Sequence, residues 1–98
     1  MADSELQEKV QALREQVDEV DRRLIQALNE RARIVQELTT IKAEAGVAIL
    51  DPRREEEILR KVAEENPGPI YDTSIREIFE LILHRIRDLE IQRGEFYK

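Results

Sequence analysis

One apolar stripe constrains this chain more than any other feature. Leu6, Val10, Leu13, Val17, Val20, Leu24 and Leu28 recur at steps of three and four, and after Arg31 the series resumes at Val35, Leu38 and Ile41. That period marks one side of an α-helix, so a single amphipathic helix is expected from near Ser4 to about Ala45. Roughly forty residues at about 1.5 Å each make a rod near 60 Å. A compact chain of 98 residues has a radius of gyration of only about 13 Å. The rod outruns any globule its own chain can build, and a second subunit related by two-fold symmetry is the simplest cover for the stripe.

Arg31 stands where the stripe calls for an apolar residue. A guanidinium at a core-facing position is costly unless an anion meets it. Lys42 lies eleven residues further on, close to three whole turns, and points to nearly the same side. Two cations in line on a buried seam fit a site for an acidic small molecule. A structural ion pair for Arg31, and a macrodipole role for Lys42 near the helix end, are the plainer alternatives.

Composition narrows the function classes. Charged residues make up 39% and aromatics 4%, with three glycines and three prolines, which is a helical balance with solvated faces. Hydrophobic residues at 41% are enough for a core. The net charge of −6 disfavours a nucleic-acid partner and makes any cationic pocket a local feature. With no cysteine there is no disulfide, thiolate metal site or thiol nucleophile. No leader-like or spanning apolar segment is present, so a soluble, cytoplasmic protein without a membrane partner is expected.

A second helix is expected to start at Asp51-Pro52, an N-cap followed by a residue suited to the first helical position. Ile58, Leu59, Val62 and Ala63 form its buried face, and Asn66-Pro67-Gly68-Pro69 stops it. A third opens around Asp72 to Ser74, where Ser74 and Glu77 fit a capping box, and ends at Gly94. Its core face reads Ile75, Ile78, Phe79, Ile82, Ile86 and Leu89. The expectation is an all-α fold of one long and two shorter helices. It forms a single domain over 1–98, ordered from about 5 to 93, with a short C-terminal tail.

Further polar groups flank these seams. Arg14 follows Leu13 on the first helix, and taken alone reads as a surface arginine. Arg54 shares a side with Ile58 and Glu55 with Leu59, so both lean toward the packed face of the second helix. Glu90 lies four residues after Ile86 and prolongs the apolar face of the third. It marks either a wet bundle end or a polar pocket. His84 has no second ligand at metal spacing and reads as a surface or packing residue.

Together these positions resemble a known family. Leu13-Arg14, Val17-Asp18-Glu19-Val20-Asp21, Leu24 and Glu30-Arg31 look like the first helix of the all-helical (type II) chorismate mutases. Ile41-Lys42, then Asp51-Pro52-Arg53-Arg54-Glu55, resembles that family's lysine, loop and Asp-x-x-Arg-Glu signature. Pro69-Ile70-Tyr71-Asp72, with Ile78-Phe79, also fits. The resemblance implies an intertwined six-helix homodimer with two pockets shared between subunits. It implies a Claisen rearrangement of chorismate to prephenate, in phenylalanine and tyrosine biosynthesis, with no metal, cofactor or covalent intermediate. By resemblance, Arg31 and Arg54 of one subunit and Arg14 of the other bind the substrate carboxylates. Lys42 and Glu90 meet the ether oxygen, and Glu55, helped by the backbone near Asp51, takes the hydroxyl.

Two positions depart from the commonest family pattern. Glu90 stands where many members have glutamine, and must carry a proton to donate to the ether oxygen. Ile86 occupies a substrate-binding position that is often serine or another small polar residue, and isoleucine cannot donate there. Two rival readings remain: isochorismate pyruvate-lyase on the same scaffold, and a helical dimerisation module without catalysis, in which Arg31 and Lys42 pair with internal carboxylates.

Overall fold

A computed structural model describes residues 2–92, with side chains described over 3–89. Its elements are α1 (Ala2–Ala45), α2 (Pro52–Glu65) and α3 (Asp72–Gln92), with no strand among the described residues. The chain divides into two compact units, Met1–Arg33 and Ile34–Lys98. The expected end of the third helix at Gly94 and the tail beyond it lie outside the described residues.

The first unit holds most of α1 and nothing for it to pack against. Every described side chain from 3 to 27 is exposed, and the stripe residues Leu6, Leu13, Val17 and Leu24 are each more than half exposed. The helix starts at Ala2, two residues before the expected cap at Ser4, which places Ser4 within the first turn. Asp3 and Glu5 supply negative charge where the dipole favours it.

The second unit contains the last turns of α1, all of α2 and α3, and the packing of α2 against α3. Leu59 and Ile86 are its buried apolar residues. Ile58, Val62, Ala63, Ile75, Phe79 and Ile82 are half-buried. Ile78 (47% exposed) and Leu89 (37%) were expected in the core, but lie on the surface of a single chain.

Local chemistry sets each boundary. α1 ends in a left-handed residue, Gly46 at φ 69°, with Gly46 N–H donating to the Ala43 carbonyl (3.2 Å) and Val47 N–H to that of Lys42 (2.9 Å). This is a Schellman cap, and it ties the Lys42 backbone into the turn. A Cβ at Gly46 would meet nothing, so the cost of adding one is conformational. Gly46→Ala should therefore destabilise the fold by about 1–2 kcal/mol. Thermal unfolding reads this as a lower Tm with helicity retained.

α2 begins as its sequence predicts. The Asp51 carboxylate accepts from the Arg54 backbone N–H at 3.1 Å, and Pro52 occupies the first turn. α3 begins differently. Its first helical bond runs from Ile75 N–H to the Tyr71 carbonyl (3.0 Å), so Tyr71 holds the cap position and Ser74 already lies inside the helix. Asn66 takes over the organising role. Its amide donates to the Ile70 carbonyl (2.6 Å) and the Asp72 carboxylate (2.8 Å), and accepts from Gly68 N–H (3.2 Å). One side chain thus spans the connection and displaces the expected capping box.

Candidate active site

Lys42 sits in the last turn of α1 and is half-buried. Among the described residues it forms no ion pair or side-chain hydrogen bond. Its neighbour one turn back, Thr39, is a buried polar residue at 5% exposure. A half-buried ammonium without a carboxylate of its own is a ready counter-charge for an anionic guest.

The start of α2 gathers six charged residues between Asp51 and Glu57. Asp51 is committed to the Arg54 amide as a cap. The Arg54 guanidinium donates to Glu57 at 2.8 Å, and its side chain is 54% exposed. Arg54 therefore does not lean into the packed side of its own chain as expected. Its contact with Glu57, one turn away, joins two exposed groups and is weak. Glu55 does turn inward and forms an ion pair with Arg87 on α3.

The other expected site residues are placed as follows. Arg14 lies in the first unit and is exposed. Arg31, in the same unit, is half-buried and already engaged in polar contact. Ile86 is 9% exposed and serves the core of the second unit with Leu59. Glu90 belongs to the helical backbone of α3, and its side chain lies outside the described residues.

Arg87, the partner of Glu55, is not among the residues that sequence reasoning singled out. A signal for it existed: Arg76 and Arg87 stand eleven residues apart, close to three turns, on one side of α3. Both reach the first turns of α2, Arg76 to Glu56 at 3.3 Å and Arg87 to Glu55. The adjacent pair Glu55-Glu56 and this arginine spacing are complementary.

Comparison with known proteins places these features in a family. The profile of chorismate mutase type II matches residues 13–91. The chorismate mutase of Methanocaldococcus jannaschii is 29% identical over 89 residues, which is 87% of both this chain and that protein. The bifunctional chorismate mutase/prephenate dehydratases of Aquifex aeolicus (36% identical over 60% of this chain) and Pseudomonas aeruginosa (28% over 86%) also match. This chain spans only 16% and 24% of the length of those two bifunctional proteins. Among solved structures, chorismate mutase from Thermus thermophilus matches in two forms. One has a TM-score of 0.78 at 44% identity, covering 80% of this chain and 98% of that one. The other has 0.80 at 45%, covering 84% and 93%. No described helix is long and apolar enough to cross a membrane. A profile that takes in the lysine, the α2 signature and most of α3, on a fold shared at this identity, leaves one assignment: the chain belongs to the type II chorismate mutases.

Proposed function

We propose that this chain converts chorismate to prephenate as a cytoplasmic homodimer, with residues 1–98 acting as one catalytic domain. Within this chain, the observation that carries the reading is Lys42, half-buried and without a carboxylate partner among the described residues. The rival reading, a helical module without catalysis, expects that ammonium to pair with an internal carboxylate. Family membership supplies the reaction class.

The reaction is a [3,3] rearrangement in which a C–O bond breaks as a C–C bond forms, so no electron or proton leaves the substrate. Chorismate carries two carboxylates and reacts only when folded into a compact, chair-like shape. Arg31 and Arg54, with Arg14 from the second copy, grip those carboxylates with paired N–H donors and hold that shape. Breaking the C–O bond leaves partial negative charge on the ether oxygen. The Lys42 ammonium stabilises that charge more than it stabilises the ground state, which raises the rate. Glu55 accepts the substrate hydroxyl, beside the Asp51 backbone.

The second copy is argued from the α1 stripe. Burying a Leu or Val side chain stabilises by roughly 1.5–3 kcal/mol, and the first unit leaves its row exposed from Leu6 to Leu24. Two α1 helices lying together cover it, and the copies then complete each other's pockets.

Incubation of purified protein with chorismate, followed by ultraviolet absorbance and product analysis, tests the reading. Prephenate is the expected product. Pyruvate and salicylate from isochorismate would assign the lyase instead, and no turnover of either substrate would leave a dimerisation module.

Glu90 adds a pH signature. As a donor to the ether oxygen it works only when protonated. Activity should therefore fall as pH rises through its titration. Glu90→Gln, which donates at every pH, should flatten the profile. A wild-type rate that is constant from acid to alkaline pH would exclude this role.

A further inference from the structure

The ion pair between Arg87 and Glu55 differs from the four other described pairs. Its partners are 29% and 33% exposed, so neither is freely solvated. The pairs Arg22–Glu19, Arg54–Glu57 and Arg85–Asp88 join residues one turn apart on the same helix, where exposed charges hold each other weakly. The other bridge between helices, Arg76–Glu56, ends on a glutamate that is 70% exposed. Of these five pairs, Arg87–Glu55 alone joins two helices with both partners half-buried.

We propose that Arg87 is a positioning residue for the rearrangement. It orients the Glu55 carboxylate toward the substrate hydroxyl and cancels the charge that Glu55 would set against a dianionic substrate. This rests on the reading of Glu55 as the hydroxyl acceptor.

A carboxylate has two oxygens and about four lone-pair sites, so one contact with a guanidinium leaves capacity for a hydroxyl. Glu55 is also held from below by its own helix: its N–H donates to the Asp51 carbonyl at 3.1 Å, in the turn that Asp51 caps. Backbone and side chain are thus fixed from two elements. The charge argument is independent of the geometry. A site that binds two carboxylates gains nothing from a third negative charge unless a cation neutralises it. Arg87 supplies that cation from α3, next to Ile86, whose side chain is buried and has no donor to offer. A guanidinium suits the task because its planar fork fixes a carboxylate in one orientation.

Steady-state kinetics on chorismate with wild type, Arg87→Ala, Glu55→Gln, the double variant and Arg87→Lys test the proposal. An uncancelled Glu55 charge opposes ground state and transition state alike, so Arg87→Ala should act mainly through KM. The expected loss in kcat/KM is about tenfold, the scale of one charge-assisted contact. In the Glu55→Gln background, where no charge needs cancelling, the same substitution should change kcat/KM by less than about twofold. Arg87→Lys should recover part of the loss, since charge returns without the fork. Equal losses in both backgrounds, or a lower Tm with unchanged KM, would overturn the positioning role while the rearrangement stands. A wild type that leaves chorismate untouched would bring down the reading of the site, and this proposal with it.

Discussion

Replacing Lys42 by alanine should lower kcat for chorismate by about 10²–10³-fold, the usual loss when a preorganised group facing developing negative charge is removed. The fold should survive. Lys42 contributes to α1 mainly as a cation in its last turn, worth about 0.3–1 kcal/mol. The Gly46 cap holds the helix end through the Lys42 carbonyl, which alanine retains. Circular dichroism should therefore match the wild type while turnover collapses. Lys42→Arg should recover little, because a wide, planar guanidinium on a shorter aliphatic stem does not return a point charge to the same place. Undiminished turnover in Lys42→Ala would mean that the reaction happens somewhere else.

The second large effect is a rescue. Arg14→Ala and Lys42→Ala homodimers should each be almost inactive. Unfolded and refolded together in equal amounts, half of the dimers are mixed, and each mixed dimer has one pocket with Arg14 from one copy and Lys42 from the other. The mixture should regain about a quarter of wild-type activity. The other pocket of each mixed dimer carries both defects. Size-exclusion chromatography establishes that the variants still associate, and the kinetics then decide. A mixture no more active than its components would rule out pockets shared between copies.

How much could be read before the structure depends on the range of the forces involved. Helix boundaries set by adjacent residues were legible: Asp51-Pro52 starts α2, and Gly46 stops α1 within a residue of its expected end. The start of α3 was not, because the decisive group is the Asn66 amide at the far side of the turn, and Ser74 imitates a cap that the backbone never uses. Periodicity found the helical faces, but could not divide them between intrachain and intersubunit burial. Ile78 and Leu89 fall on the core side of α3 by phase, and yet stay exposed within one chain. The site shows the same division. Lys42, Arg54 and Glu55 could be singled out as candidates from spacing within one element and a family signature. Arg87 required knowing which α2 glutamate it meets across the hairpin, which is a tertiary fact. Ile86 was read both as part of the core face of the third helix and as a binding position lacking a donor, and its burial in the second unit agrees with the core reading.

The bare first half of α1 has a consequence for dosage. A helix with its apolar row fully in water is a poor resting state, and under the proposed pairing it is relieved only by meeting its twin. Dilution should then cost this protein both its catalytic centres and its resistance to unfolding in the same step. Its melting point should climb with the amount of protein in the tube, as it does for chains that have no stable solitary form.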